Sequence, residues 1–297
     1  MSVSKRVDFP LLAIGFFVGN LVIMVLISAM VKLLSGRFPV SQILLFRYVF
    51  AAVPLLMYSF VVHGAGSLRT SRYRDHGIRS ASGILSLGLF YTALAMIPLA
   101  ETTMLVYSSP IFVVMLSVPF LGEKIGLPRW SAVIVGFMGV MIISQPGTAV
   151  FSTGGLVAIG SAVVGAFVLI WQRRLSDTEN TATTAIIYNT SGGLVFAVWT
   201  LAVGWTATGN GWDLALLVGI GLLAAFQQFF FTAAFRFGEA SLLAPFGYLI
   251  FLFAGLAGVV FWNEVPPWTT IAGGMVIVAS GLVILFRERV KRKPVAV

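Results

Sequence analysis

Hydrophobic residues recur along the chain in ten runs, each close to the length of a membrane span, with short polar segments between them. A helix needs about 20 mostly apolar residues to cross a bilayer. The pattern therefore predicts an all-α membrane protein with ten transmembrane helices. The predicted spans are residues 9–31, 41–62, 80–97, 101–121, 128–144, 154–171, 182–205, 213–235, 240–261 and 268–286.

The segments between the runs are rich in turn-forming residues, as in "SGRFP", "PGTAVFSTGG" and "NEVPP". The longest polar stretch is residues 63–79, which leaves no room for a soluble domain. Residues 9–31 are longer than the apolar core of a signal peptide, and no small-residue cleavage site follows them before Lys32. We therefore expect this run to be the first span.

Composition agrees with this pattern. The chain is 59% hydrophobic and only 10% charged, and its mean hydropathy is +1.00. A soluble domain carries roughly 25% charged residues, so a soluble protein is excluded. Because cysteine is absent, the sequence offers neither disulfides nor thiolate metal ligands. The net charge of +9 lies mostly in short loops, where it predicts topology and not binding to nucleic acid.

Lysine and arginine are distributed unequally between the two sides of the predicted membrane. Sixteen of them, Arg79 and Arg174 included, fall on the side that contains both termini, whereas Lys32 and Arg37 fall on the other. Cytoplasmic loops carry the excess of positive charge in membrane proteins. Both termini are therefore predicted to be cytoplasmic, and the basic tail "RERVKRK" is a candidate contact for anionic lipid.

The two halves of the chain resemble each other. Residues 99–130, "LAETTMLVYSSPIFVVMLSVPFLGEKIGLPRW", are similar to residues 238–268, "GEASLLAPFGYLIFLFAGLAGVVFWNEVPPW". The segment "ILLFR" at 43–47 is similar to "AIIYN" at 185–189, which aligns Arg47 with Asn189. Other aligned pairs are separated by 140 to 142 residues: Thr92 with Thr232, Glu123 with Glu264, and Gly139 with Gly281.

These similarities predict two homologous five-helix units, residues 1–147 and 148–297, within one membrane domain. Because five is an odd number, the second unit must cross the membrane in the opposite orientation. Inverted units that exchange conformations open a central site to each side in turn, as in many secondary transporters. The alternative from another class is a lipid flippase or a membrane enzyme, but the sequence contains no phosphate-loop or HExxH pattern.

The motifs "PLAETTMLVYSSPIF", "LGEKIGLPRW", "GFMGVMII" and "WNEVPPW" resemble the drug/metabolite transporter superfamily, in its EamA-type ten-helix branch. The resemblance covers nearly the whole chain and implies a secondary transporter of the bacterial inner membrane. Relatives of this type include exporters of aromatic amino acids. The resemblance favours export of a small polar or amphipathic metabolite, an amino acid or its derivative first, over import of a nucleoside-like cofactor.

The expected partners are a small-molecule substrate and membrane lipid, with a homodimer as a candidate assembly. No enzymatic activity, cofactor, metal or nucleic acid is expected. The two histidines, His63 and His76, lie in the polar 63–79 stretch and are expected to be solvated.

Arg47 is the most informative single residue. It lies about six residues, or roughly 9 Å, into the second span. An arginine at the centre of a transmembrane helix costs about 2.5–3.5 kcal/mol on insertion scales. It therefore either binds a substrate carboxylate or a gating partner, or has a structural role against carbonyls of a neighbouring helix end. No Asp or Glu lies at mid-depth in any predicted span to pair with it or to carry protons.

Other polar and aromatic residues inside the spans need partners in a dry medium, and some are expected to line a central cavity. Prolines in the fourth and ninth spans are candidate hinges, and acidic residues at span ends are expected to cap or tie helices. The cavity candidates, besides Arg47, are Asn20, Tyr91, Tyr107, Ser108, Trp171, Tyr188, Asn189, Gln227, Gln228 and Tyr248; the hinges are Pro110 and Pro245; the acidic residues are Glu101, Glu123, Glu239 and Glu264.

Overall fold

The computed structural model describes residues 9–63, 70–122, 126–145, 152–176, 179, 181–238 and 240–292, and these residues form helices without any strand. The helices are α1 (Pro10–Ser35), α2 (Val40–His63), α3 (Tyr73–Met96), α4 (Leu99–Val106), α5 (Ser109–Leu121), α6 (Leu127–Ser144), α7 (Thr153–Ser176), α8 (Thr181–Val203), α9 (Gly211–Phe237), α10 (Ala240–Leu243), α11 (Leu249–Trp262) and α12 (Trp268–Arg292), with a 3₁₀ segment at Ala244–Tyr248.

The ten predicted spans are confirmed as ten helical crossings. Seven segments are long and apolar enough to cross a membrane, and three shorter apolar helices cover residues 130–144, 246–262 and 268–283. The fourth crossing is divided into α4 and α5, and the ninth into α10, the 3₁₀ segment and α11. The predicted boundary between the halves, at residues 147 and 148, lies outside the described residues.

Both candidate hinge prolines lie where a crossing is interrupted. Pro110 occupies the first turn of α5, directly after the turn at Tyr107 and Ser108. Pro245 occupies the first turn of the 3₁₀ segment. Proline is tolerated at the start of a helix because the N–H that it lacks would have no partner there. The two prolines therefore mark equivalent breaks in the two halves, and a hinge role for them stays a prediction.

The main helix pairs each join one helix of the first half to one helix of the second half. Helix α1 packs against α9, and the corresponding helix of the second half, α7, packs against α3. Helix α2 packs against its counterpart α8, and α6 packs against its counterpart α12. This reciprocity is the packing expected of two five-helix repeats.

Helices α6 and α12 show that the repeats are inverted. Gly139 of α6 faces Gly273 of α12, and a Cβ atom on either glycine would lie 2.8 or 2.6 Å from the carbonyl oxygen of the other. Seven residues before Gly139, the carbonyl of Ala132 accepts a 2.6 Å hydrogen bond from Ser280, which lies seven residues after Gly273. The final helices of the two halves therefore run in opposite directions.

This close approach makes Gly139 sensitive to any added side chain. Gly139→Ala is expected to lower stability by about 1–3 kcal/mol, because the new methyl group must displace the α12 backbone. The measurement is thermal unfolding of the purified protein. Gly15→Ala is the matched control, since a Cβ atom at Gly15 meets nothing within 4 Å. Equal melting temperatures for the two variants would contradict the close packing of Gly139 against α12.

Helix α3 begins seven residues earlier than the predicted third span, which was expected to start at residue 80. Residues 73–79, "YRDHGIR", are too polar for a hydropathy pattern to include them, although they continue the helix. His76 and Arg79 therefore belong to α3, and His76 is only 1% exposed. The expectation that His76 is solvated was wrong; the side chain of His63 lies outside the described residues.

Candidate functional site

Two arginines and three tyrosines from α2, α3 and α8 gather inside the bundle. We call them the Arg–Tyr cluster: Arg47, Tyr48, Arg79, Tyr91 and Tyr188. At its centre the hydroxyl of Tyr48 donates a 2.9 Å hydrogen bond to the hydroxyl of Tyr188. The two rings meet edge to face, with centroids 5.3 Å apart. These tyrosines lie 140 residues apart in the chain, the same separation as the aligned threonines of the two halves.

Glycines give the two tyrosine rings their space. A Cβ atom at Gly83 of α3 would lie 2.7 Å from the Tyr188 ring. A Cβ atom at Gly192 of α8 would meet the Tyr48 ring directly. Tyr48 is completely buried as a result. Both rings are therefore held between neighbouring helices, and this fixes the surfaces on which the arginines rest.

Arg47 lies against the first of these rings. Its guanidinium carbon is 5.2 Å from the centroid of the Tyr48 ring, within the range of a cation–π contact. The side chain also interacts with the hydroxyl of Tyr91, which is 1% exposed. The Nη1 atom of Arg47 is buried, and no described residue accepts a hydrogen bond from it. The structure thus leaves part of this guanidinium available to another acceptor.

Arg79 lies against the second ring in the same way. Its guanidinium carbon is 4.3 Å from the centroid of the Tyr188 ring, and its Nε donates a 3.1 Å hydrogen bond to Oε1 of Gln172. Its Nη1 atom is also buried and has no acceptor among the described residues. Sequence reasoning missed this residue, because it assigned Arg79 to the loop cations. No pattern in the sequence around Arg79 distinguishes it from the loop cations.

The cluster carries positive charge without a described counter-charge. Among the described residues, none of the ion pairs includes Arg47 or Arg79; the pairs join Lys32 with Glu264, Arg37 with Asp213, Arg72 with Asp75, and His76 with Glu179. A buried charge without a partner is costly in a dry medium. A guanidinium fork matches a carboxylate in two parallel hydrogen bonds. The cluster is therefore chemically suited to an anion.

Some predicted cavity residues bond to nearby backbone. Asn189 donates a 2.8 Å hydrogen bond to the carbonyl of Ala185, and Ser108 donates one of 2.6 Å to the carbonyl of Leu105. Asn20 of α1 is 4% exposed, and its Oδ1 atom has no donor among the described residues. Of these three, Asn20 retains an unused polar atom.

Trp171 packs between α5 and α7, against the rings of Phe120 and Phe167. Its Nε1 atom is buried without a described acceptor, and the guanidinium of Arg174 lies 5.1 Å from its ring. Its neighbour Gln172 is the residue of this pair that reaches the Arg–Tyr cluster.

The glutamines of α9 are half-buried. At this position the hydroxyl of Thr232 donates a 2.8 Å hydrogen bond to the backbone carbonyl of Gln228. Helix α9 packs against α1 and α2, so Gln227 and Gln228 lie on a helix that borders the one carrying Arg47. No described contact joins either glutamine to the Arg–Tyr cluster.

Tyr107 and Tyr248, at the breaks in the fourth and ninth crossings, form a second aromatic group. The ring of Tyr107 lies edge to face with Phe251, with centroids 5.6 Å apart, and its hydroxyl donates to Sδ of Met24 at 3.3 Å. The Tyr248 ring lies 6.2 Å from Phe251, and its hydroxyl lies against Gly281. These two predicted cavity residues therefore share a contact with Phe251 and form a group separate from the Arg–Tyr cluster.

A groove of about 640 Å³ runs between α11 and α12 and ends at this aromatic group. Tyr248 supplies the one polar side chain in its lining; the other lining residues include Met104, Phe251, Leu256 and Met275. Such a groove matches acyl chains of lipid better than a polar headgroup.

An ion pair ties the helices at one end of the bundle. Nζ of Lys32 lies 2.6 Å from Oε1 of Glu264, and it also donates to the carbonyl of Ile97 at 3.3 Å. Oε2 of Glu264 accepts a 3.3 Å hydrogen bond from the backbone N–H of Leu99, in the first turn of α4. We call this arrangement the Lys32 tie. Glu264 was expected to cap or tie the last helix of its own half, and it instead joins α1 and α4 of the other half.

Two further contacts strengthen the Lys32 end of the bundle. Nη1 of Arg37 lies 2.8 Å from Oδ1 of Asp213. The side chain of Gln42 donates to the backbone carbonyl of Thr206 at 2.8 Å and accepts from its N–H at 3.0 Å. These contacts hold the α1–α2 connection and the start of α2 to the first turn of α9 and to the segment before it.

Of the remaining acidic residues predicted to cap helices, Glu101 lies in the first turn of α4, where a carboxylate is favoured by the helix dipole. No side-chain capping hydrogen bond forms at this helix start. Glu123 and Glu239 lie outside the described residues.

The opposite end of the bundle is tied around Glu179. Its carboxylate lies 3.2 Å from Nε2 of His76 and accepts a 2.9 Å hydrogen bond from Thr70, while Arg72 donates to the carbonyl of Arg174 at 2.9 Å. Desolvation raises the pKa of Glu179, but hydrogen bonds from His76 and Thr70 and the charges of His76 and Arg72 lower it more. The pKa of Glu179 therefore lies below its ordinary value, and the ionised form is favoured.

This lowered pKa makes the contribution of Glu179 depend on pH. Because the pKa is lower in the folded state, the stabilisation is present above the ordinary glutamate pKa, about 4, and is lost as the pH falls through the lowered value. Glu179→Gln is expected to lower the melting temperature at pH 7, and this difference from the wild type should disappear as the pH falls through the lowered pKa of Glu179. A difference that persists unchanged in acid would contradict this assignment.

The EamA-like transporter family matches residues 11–145 of this chain and matches again at residues 152–286. The chain belongs to the EamA-like transporter family. The two matched ranges correspond to the two five-helix units described above, so the two-repeat architecture holds for this EamA-like transporter.

Named relatives of this EamA-like transporter move small molecules. The S-adenosylmethionine uptake transporter of Rickettsia felis is 29% identical over 281 residues, 94% of each chain. The pseudopaline exporter CntI of Pseudomonas aeruginosa is 31% identical over 85% of this chain and 88% of its own. The riboflavin transporter of Vibrio cholerae is 29% identical over 82% of this chain and 81% of its own. The family is therefore one of small-molecule transporters, and its members differ in substrate and direction.

One solved crystal structure superposes on this EamA-like transporter with a TM-score of 0.62, at 17% sequence identity, and covers 95% of this chain and 98% of its own. This similarity supports the fold of the chain.

Proposed function

We propose that this protein exports a small amino acid or amino-acid derivative across the bacterial inner membrane and holds the substrate carboxylate at Arg47. The observation that carries the proposal is the buried Nη1 atom of Arg47, from which no described residue accepts a hydrogen bond. A carboxylate would supply the missing acceptor and would neutralise a charge that is costly to keep inside the bundle. Tyr48 and Tyr91 fix the guanidinium beside this position.

Alternating access is the mechanism that fits this architecture. The inverted repeats place the Arg–Tyr cluster between two sets of end contacts, the Lys32 tie at one end and the Glu179 contacts at the other. Release of one set while the other stays formed would open the cluster to one side at a time. In this proposal both termini are cytoplasmic, so the Lys32 tie closes the periplasmic side.

Import of a nucleoside-like cofactor is the second candidate. Its support is the similarity to S-adenosylmethionine uptake transporters over 94% of the chain. S-adenosylmethionine carries a sulfonium and an ammonium against one carboxylate. The Arg–Tyr cluster offers two cations, and no described carboxylate contacts either of them. Like charges in a medium of low dielectric repel strongly, so the cluster favours a substrate with less positive charge.

Ligand-dependent thermal stability tests this proposal. The purified protein is heated with each common amino acid, with its carboxamide, and with S-adenosylmethionine or riboflavin. We expect at least one amino acid to raise the melting temperature and its carboxamide to fail, because a ligand present at 100 times its Kd stabilises the folded state by about 2.7 kcal/mol. Uptake of that amino acid into proteoliposomes then tests transport. Equal stabilisation by acid and carboxamide, or by S-adenosylmethionine alone, would overturn the carboxylate proposal.

A further inference from the structure

We infer that Arg79 is a second anion-binding residue and that the substrate carries two acidic groups, as a dicarboxylate or an acidic amino acid does. The inference rests on the proposed function and narrows its substrate class. Its basis is that Arg79 repeats the features that single out Arg47. Each guanidinium rests on one ring of the Tyr48–Tyr188 pair, and each has a buried Nη1 atom without a described acceptor.

The tyrosine pair keeps the two cations on one continuous surface. Tyr48 and Tyr188 are joined by their hydroxyls, and their rings are held by Gly192 and Gly83. Gln172 fixes the Nε side of Arg79 and leaves the buried Nη1 atom for another acceptor. Each cation is therefore oriented by the protein before a ligand arrives, and this lowers the entropic cost of binding.

The two positive charges of the cluster favour a ligand with two acidic groups over a ligand with one. A monocarboxylate bound at Arg47 would neutralise one guanidinium and leave Arg79 as a buried charge without a partner. Removing one partner of a buried pair is strongly destabilising for the same reason. A ligand with two carboxylates gives each guanidinium its own fork-to-fork partner. Two carboxylates fit better than one phosphate, because the guanidinium groups are held on different rings and not as a single pincer.

A requirement for two acidic groups distinguishes this protein from relatives named for other substrates. S-adenosylmethionine has one carboxylate and two positive groups, and it would bring like charge to Arg79. The inferred preference for two acidic groups therefore depends on the residues that position Arg79 in the cluster, namely Gln172, Gly83 and Tyr188.

The test compares diacids with their monoamides on the full-length protein. The ligands are L-glutamate with L-glutamine, L-aspartate with L-asparagine, and unbranched dicarboxylates of four to six carbons with their monoamides. Binding is measured by thermal shift and calorimetry on the wild type, Arg79→Gln and Arg79→Lys. We expect a diacid to bind the wild type at least tenfold more tightly than its monoamide. Arg79→Gln should weaken the diacid far more than the monoamide and bring the two to a similar affinity, and Arg79→Lys should retain part of the preference.

The outcomes separate this inference from the proposed function. If monocarboxylates bind as tightly as diacids, or if Arg79→Gln weakens diacid and monoamide equally, Arg79 has a packing role and this inference is overturned while the carboxylate site at Arg47 stands. If binding never depends on a carboxylate in any member of the panel, both proposals fail. Arg236→Gln, at an exposed cation at the end of α9, controls for the loss of one positive charge and should keep the diacid preference.

Discussion

Arg47→Gln is expected to abolish carboxylate-dependent transport while the protein stays folded. A bidentate hydrogen bond between a guanidinium and a carboxylate contributes roughly 2–3 kcal/mol, which corresponds to a loss of about 30- to 160-fold in affinity. The variant also removes a charge that the ligand-free protein leaves partly unpartnered. Its melting temperature without ligand should therefore stay near that of the wild type. The measurements are uptake into proteoliposomes and thermal unfolding of the same preparation.

A structural role for Arg47 predicts a different pair of results. If its contacts with Tyr48 and Tyr91 mainly hold α2 in place, Arg47→Gln should lower the melting temperature and reduce transport of every substrate alike. Comparing a substrate with its carboxamide decides between the two roles, because only the carboxylate role makes the loss depend on the substrate's acidic group. Arg236→Gln is again the matched control, since Arg236 is exposed and contacts the ring of Phe237 alone among the aromatic residues described.

Most of the fold could be predicted because each membrane span requires a long apolar run, which is visible in the sequence whatever its helical periodicity. The breaks after Tyr107 and within residues 244–248 also follow from the sequence, since proline occupies the first turn that follows each break. The start of α3 did not follow, because its first two turns are polar and are stabilised by contacts with distant parts of the chain. His76 in α3, and Thr70 just before this helix, bond to Glu179, more than 100 residues away in the chain.

The candidate site could be predicted only in part, for a similar reason. Arg47 was identified because a cation deep in a membrane span has a high free-energy cost and is therefore rare without a specific role. Arg79 was missed because it lies near a helix start, where a cation is ordinary. Tyr48 was missed because a tyrosine inside an apolar helix is unremarkable until its partner is known. Its partner Tyr188 lies 140 residues away, and only the crossing of two repeats brings the hydroxyls together.

The Lys32 tie gives the second large expected effect. Lys32→Glu would place two carboxylates against each other at side chains that are 13% and 28% exposed in the wild type. The substitution removes the ion pair and the hydrogen bond to the Ile97 carbonyl and adds like-charge repulsion. We expect a loss of about 3–5 kcal/mol in stability and a matching loss of transport. Thermal unfolding and proteoliposome uptake measure the two effects.

Exchanging the charges, with Lys32→Glu and Glu264→Lys together, should restore part of what either single reversal loses. The exchanged pair regains its attraction, but a lysine at position 264 cannot accept from the Leu99 N–H, and a glutamate at position 32 cannot donate to the Ile97 carbonyl. The rescue should therefore be about half of the lost stability, because one of the two kinds of contact returns. Arg37→Glu is the matched control at the same end; its side chain is 53% exposed, so it can turn into solvent and should cost less. A double variant no more stable than the worse single variant would show that attraction between these two charges does not hold this end of the bundle together.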